Sequence, residues 1–170
     1  MPSRTAQPSL FAPIQPPPAE DKSGWITAHC DGGARGNPGP AGFGAVIQDG
    51  NGQVLAELSE FLGIQTNNFA EYSGLLAVLE FALAQGHRRV RVVSDSELMV
   101  KQIQGAYKVK SPGLKPLYDE ARRRIARLEG FQISHALRHK NRDADRLANR
   151  AMDQGMGPVS LARANAYPGR

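Results

Sequence analysis

The tetrapeptide Asp49-Gly50-Asn51-Gly52 stands between two short β-like runs, residues 42–48 and 53–61, and constrains the fold more than any other stretch of the chain. Asp-Gly and Asn-Gly steps favour the positive backbone angles of a tight hairpin, so the two runs are expected to pair antiparallel. Just upstream, residues 25–31 alternate apolar and polar side chains. The three runs together predict an antiparallel meander.

After the meander the period changes. Residues 69–85 place Tyr72, Leu75, Leu76, Leu79 and Leu83 at helical spacing, and Gly86 ends the run. Residues 89–95, built on Val90, Val92 and Val93, read as a buried strand, and residues 97–104 as a short helix. Leu114, Leu117, Tyr118, Ala121, Ile125 and Leu128 form an amphipathic stripe ending at Gly130, with Arg122, Arg123, Arg124 and Arg127 mostly off it. Residues 131–137 read as a fifth strand and 143–153 as a last helix. The order βββαβααβα predicts an α/β fold, a mixed sheet flanked by helices, because crossover connections lay helices on the sheet faces.

Six of the twelve prolines (Pro2, Pro8, Pro13, Pro16, Pro17 and Pro18) fall in the first 22 residues, which hold few apolar side chains. Such a segment cannot bury enough surface to offset its ordering entropy, so 1–22 is expected to be a disordered tail. Residues 155–170 mix Gly, Pro and small residues without periodicity and are expected to form a C-terminal tail. That leaves 23–154 as one domain. The single Cys30 excludes an internal disulfide and suits a packed small residue better than a reactive thiol. No stretch approaches the ~20 apolar residues of a membrane span or resembles a signal peptide, which points to a soluble, cytoplasmic protein with no membrane partner.

Charge is uneven along the chain. Residues 1–87 carry three Lys/Arg against eight Asp/Glu, whereas residues 88–150 carry sixteen against seven. A basic excess gathered in one half fits a polyanionic partner, and it also fits solvated helix faces.

Four carboxylates sit at the ends of predicted elements. Asp31 ends the first strand and Asp95 the fourth, while Glu71 and Asp145 fall in the first turns of their helices. Strand ends in such sheets open into crevices where ligand groups collect. If the four acids converge, they repel one another unless a cation is present, and hard divalent ions take carboxylate oxygens. Each acid also has a structural explanation. Asn68 and Glu71 are spaced as a capping box, Asp143 and Asp145 suit the positive end of a helix dipole, Asp95 could cap the helix after it, and Asp31 could hold a turn with Gly32 and Gly33.

The segments DGGARGNPGPAGFGAVI (31–47), TNNFAEY (66–72), SDSELMV (94–100) and NRDADRLANRAMD (141–153) resemble, in order and spacing, the motif blocks of the ribonuclease HI family through about residues 25–153. The resemblance implies a ribonuclease H-like fold with a five-stranded mixed sheet. It further implies a monomeric endonuclease that cuts the RNA strand of RNA–DNA hybrids with two Mg²⁺ or Mn²⁺ ions, leaving 5′-phosphate and 3′-hydroxyl ends. Asp31 would bridge the ions, Glu71 and Asp95 would complete one side, and Asp145 would hold the ion near the attacking water. His139, six residues before Asp145, matches the family's mobile histidine across a loop shorter than in many relatives. His135, inside the fifth strand, is read as packed or hydrogen-bonded.

By the same resemblance, Gly33, Asn37, Asn68 and Glu97 would lie along the RNA strand, with Gly32 in the same close-approach loop, and Thr66 and Asn67 would meet the DNA-strand phosphate. The 2′-hydroxyl, donor and acceptor at once, is the sugar's only handle for telling RNA from DNA. Glu97 stands where many relatives carry Gln. The glycines of this block would serve equally as turn and bulge positions. The basic, Trp-containing protrusion of many family members is missing: residues 105–116 are short and offer Tyr107, Lys108, Lys110 and Lys115, with Lys101 just upstream. Two other readings remain, a nuclease of the same fold acting on another nucleic acid and a hybrid-binding module that does not cut. Loss of an acid would mark the latter, and none of the four is lost.

Overall fold

The computed structural model describes residues 24–137 and 141–156. Its elements follow the predicted order: β1 (Trp25–Ala34), β2 (Gly39–Gln48), β3 (Val54–Gln65), α1 (Asn67–Ala84), β4 (Arg89–Ser94), α2 (Glu97–Ile103), α3 (Lys115–Ile125), β5 (Gly130–His135) and α4 (Arg142–Met156). The five strands form one sheet in the order β3-β2-β1-β4-β5. The β1–β2 and β2–β3 pairs are antiparallel, and β1–β4 and β4–β5 are parallel. This is the α/β architecture expected of the motif order.

The hairpin forms where the tetrapeptide places it. Asp49 Oδ1 accepts from the backbone N–H of Asn51 at 2.8 Å and of Gln53 at 3.0 Å, and Gly52 adopts φ +81°. The strands are longer than their apolar runs suggest. β1 continues through Gly32, Gly33 and Ala34, β2 begins at Gly39, and β3 runs on past a positive-φ Gly63 to Gln65. Glycines that read as turns from sequence are ladder residues here.

Alternation along β2 assigns the two faces of the sheet. Ala45 and Ile47 join Ile26, Ala28, Cys30, Val90, Val92 and Ile133 in a core closed by Tyr72, Leu75, Val78 and Leu79 of α1, with α2 and α3 beyond it. Each buried Leu or Ile contributes about 1.5–3 kcal/mol of transfer free energy. The intervening positions Gly42 and Gly44 face α4, whose Ala144, Leu147, Ala148, Ala151 and Met152 are buried against that side. α4 runs to Met156, with Gly155 seated on the Phe61 ring. The tail expected at 1–22 lies outside the described residues, as does the one expected at 155–170 except for Gly155 and Met156, which belong to α4. Among the described residues, no helix is long and apolar enough to cross a membrane.

Candidate active site

The parallel ladder between β1 and β4 ends at the rung Cys30↔Ser94. Asp31 and Asp95 are the next residues on the two chains and leave the ladder side by side. Asp31 is therefore not at the end of its strand, as the sequence suggested, because β1 goes on pairing with β2 as far as Ala34↔Ala41. What ends at Asp31 is the parallel half of the sheet.

Two of the capping explanations fail in the structure. The N-cap of α1 is Thr66, whose hydroxyl accepts from Phe69 N at 3.1 Å, so Asn68 lies inside the helix and Glu71 in its second turn, past any capping box. The N-cap of α2 is Ser96, whose Oγ accepts from Met99 N at 3.3 Å, so Asp95 is not the N-cap of that helix. No turn follows Asp31 either, although its Oδ1 accepts locally from Gly32 N at 2.9 Å. Glu71 is nonetheless buried, since α1 lies almost in contact with β1 beside it. A Cβ on Gly32 would come within 2.5–2.7 Å of the Ala70 and Glu71 backbone.

As a result, one carboxylate oxygen each from Asp31, Glu71 and Asp95 lie within 4.8 Å of one another. Asp145, in the first turn of α4, approaches Asp31 from the opposite face, near enough to act on its carboxyl. Burial first, then the Asp95 charge and the hydrogen bond with Asp145, push the Asp31 carboxyl up from 3.8 to about 8. A buried group so reluctant to ionise beside other carboxylates is a donor set that a hard divalent cation fits, because the cation supplies the missing positive charge. Cys30 is no part of this chemistry: burial, then the charges of Glu71, Asp31 and Asp95, push its thiol well above its ordinary range.

α4 is seated by features with no chemical signature of their own. A Cβ on Gly44 would stand 2.5 Å from Ala144 O, Ala148 N and Leu147 Cβ, so only glycine lets the helix lie this close to β2. Asn141, 1% exposed, donates from Nδ2 to Cys30 O at 2.8 Å, and its own carbonyl accepts from Asp145 N at 3.0 Å. Arg35, in the β1–β2 connection, pairs with Asp153 and reaches Asn149 farther along α4. Sequence reading assigned no role to Gly44 or Asn141. The signal available was a glycine alternating with apolar residues inside a β run, which marks close backbone approach.

Asn37, Thr66 and Asn67 form a rim where the β1–β2 connection meets the start of α1. Asn37 Oδ1 accepts from Asn67 N at 3.0 Å, and Asn67 Oδ1 accepts from Ala34 N at 2.7 Å, which joins the β1–β2 connection to the start of α1. Thr66, Asn67 and Asn37 are exposed, Asn68 and Gly33 are half-buried, and Glu97 is exposed in the first turn of α2. Gly32 is turned toward α1 by the close contact above. His139 lies outside the described residues. His135 is exposed, opposite Ser94 on the last β4–β5 rung, rather than packed.

Much of the basic excess on α3 is structural. Arg123 and Arg124 pair with Glu120, Arg124 also donates to Leu76 O, and Arg122 donates to Ile103 O. Lys108 and Lys110 remain on the surface.

A family model described as reverse transcriptase-like matches residues 29–151. Ribonuclease HI of Halobacterium salinarum is 39% identical over 144 residues, covering 85% of this chain and 70% of the relative. A bifunctional protein of Mycobacterium tuberculosis is 42% identical over 146 residues, and the chain spans only 39% of that relative's length. Among solved structures, the ribonuclease H1 LC11 in complex with an RNA/DNA hybrid is 43% identical with a TM-score of 0.74, covering 78% of this chain and 99% of that one.

Proposed function

The chain belongs to the ribonuclease H family, and from that premise we propose that it is an endonuclease hydrolysing the RNA strand of RNA–DNA hybrids to 5′-phosphate and 3′-hydroxyl ends. The observation that supports this reading is the meeting of carboxylate oxygens from Asp31, Glu71 and Asp95 within 4.8 Å of one another, with Asp145 of α4 beside Asp31. Two Mg²⁺ or Mn²⁺ ions bound there would supply an activated water and a stabilised leaving oxygen. Asp31 would serve both ions, Glu71 and Asp95 would hold one side, and Asp145, from α4, would hold the side of the attacking water.

The rim suits the hybrid's acceptors. The carbonyl ends of the Asn37 and Asn67 amides are used internally, so these side chains offer N–H donors to sugar and phosphate oxygens. The Thr66 hydroxyl accepts from Phe69 N, which leaves its proton for a DNA-strand phosphate at the positive end of α1. Glu97 can only accept, so it reads the RNA strand through a donor, and the 2′-hydroxyl is the one the sugar provides. Gly33 has nothing closer than 3.8 Å to the place of a Cβ, leaving room for the RNA backbone. His139, three residues before α4 in the sequence, would by the family resemblance assist proton movement or product release. Lys108 and Lys110 add phosphate attraction that weakens with salt.

The test is cleavage of an RNA–DNA hybrid carrying a 5′ label on the RNA, with Mg²⁺ or Mn²⁺, by the wild type and by Asp95→Asn. Wild type should cut internally, and the variant should lose on the order of 10³-fold or more in kcat. An undiminished variant, or an inert wild type with both metals, overturns the reading. Double-stranded RNA and DNA run beside the hybrid would identify a nuclease of different preference.

A further inference from the structure

We infer that Asn141 is a positioning residue for this reaction, a strut that sets the distance between Asp145 and Asp31; the inference rests on the hydrolysis proposed above. Asp31, Glu71 and Asp95 are placed by β1, α1 and β4, all of which contribute to one apolar core. Asp145 stands on α4, across the sheet, and nothing in that core fixes the rotation or height of the helix. Asn141 lies immediately before α4 and is joined to both partners. Its Nδ2 donates to the carbonyl of Cys30, the residue before Asp31, and its main-chain carbonyl accepts from the N–H of Asp145. The side-chain bond spans 111 positions of sequence and is buried.

Stability alone does not explain this amide. Its Oδ1 is buried without a hydrogen-bond partner, and a half-satisfied buried amide gives back much of what its one bond contributes. An apolar side chain of equal volume would fill the same space without burying an unpaired amide oxygen, at the cost of the bond to the Cys30 carbonyl. What only the amide supplies is a directional tie between the first turn of α4 and the strand that carries Asp31. Displacements near 1 Å at a reacting centre cost about 100-fold in rate.

Asn141→Leu keeps the volume and removes the tie, so packing and positioning separate. The variant should melt near the wild-type Tm, the lost bond to Cys30 offsetting the removal of the unpaired amide oxygen, while kcat on the hybrid falls on the order of 10- to 100-fold and KM stays within about twofold. In an Asp145→Asn background, the same substitution should cost less than about twofold more, since the group it positions is gone. A readout independent of turnover is the rise in Tm on adding Mn²⁺, which should be smaller for Asn141→Leu than for wild type. Wild-type kcat and a wild-type Mn²⁺ response in Asn141→Leu overturn the inference, as does an unreduced penalty in the Asp145→Asn background. An inert wild type would defeat the proposed hydrolysis, and the Mn²⁺ response would still decide the role of Asn141.

Discussion

The two faces of the sheet hold their helices by different means. On one, α1 presses Tyr72, Leu75, Val78 and Leu79 into a core of branched side chains from β1, β2, β4 and β5. On the other, α4 rests Ala144, Ala148 and Ala151 over Gly42 and Gly44, with a buried amide at one end and an arginine toward the other. A truncation among large core side chains costs stability but leaves a gap that neighbours partly close without moving the backbone. A seat of glycines offers no such slack to an added atom, because backbone meets backbone. The carboxylates divide along the same line, three of them carried by the elements of the large core and Asp145 alone by the glycine seat.

Substitutions of similar thermodynamic weight on the two faces should have unlike consequences for catalysis. Gly44→Ala drives a methyl to within 2.5 Å of Ala144 O and Ala148 N, and those atoms cannot move without the helix. It should cost about 3 kcal/mol and reduce kcat at least tenfold even at a temperature where the protein stays folded. Leu79→Ala, in the fully buried heart of α1 and two turns from Glu71, should cost about 3 kcal/mol as well. Its kcat at the same temperature should remain within about twofold of wild type. Urea unfolding beside hybrid cleavage would check both. Equal losses of kcat in the two variants would erase the distinction between the faces. Gly42→Ala gives a graded control, since its methyl would meet Ala151 Cβ at 3.0 Å, Glu60 O at 3.1 Å and Met152 Cγ at 3.3 Å, a milder crowding than the 2.5 Å contacts at Gly44.

The same division marks what could be read from sequence. The core face was legible, because Tyr72, Leu75 and Leu79 keep a helical period and Val90 and Val92 a strand period, each set by burial on one side. The hairpin was legible through its Asp-Gly and Asn-Gly steps. The glycine face was not. Gly32, Gly33, Gly42 and Gly44 carry no hydrophobic signal, and their role depends on α1 or on an α4 a hundred residues away. This is why β1 was expected to stop at Asp31 and β2 to start at Gly42. The acids were placed by the motif blocks, while their caps were misread, since Thr66 and Ser96 beside Asn68 and Asp95 are equally good caps by residue type and only geometry chooses between them.

The acid cluster itself should weaken the metal-free protein in a pH-dependent way. The folded protein holds the Asp31 carboxyl at about 8, against 3.8 for the unfolded chain. Below pH 4 both states keep the proton and there is no penalty. As pH rises from about 4 to 8 the unfolded chain releases the proton and the folded one retains it, so stability falls across that window and levels off above it. Asp31→Asn abolishes the fall. With divalent ions chelated, the variant should gain on the order of 2 kcal/mol over wild type at pH 8 and almost nothing near pH 4, while losing hybrid cleavage. A gain that does not grow with pH would mean that Asp31 is not the strained acid, and the cost of gathering the core-side trio would have to lie with Glu71 or Asp95.

The smallest effect separates the contacts of α4 by depth. Arg35 reaches from the β1–β2 connection to Asp153 and Asn149, but its side chain is 36% exposed and that of Asp153 65%. An ion pair in that setting contributes about 0.2–1 kcal/mol and fades as salt screens it. Arg35→Ala should therefore cost about 0.5 kcal/mol in dilute buffer, less in 0.5 M NaCl, and leave kcat unchanged. Any rise in KM would come from looser placement of Asn37, two residues on. A cost above about 1.5 kcal/mol, or one that salt does not reduce, would show that α4 depends on its surface contacts as much as on Gly44. Asp145 would then be held from both ends of its helix rather than from the buried one.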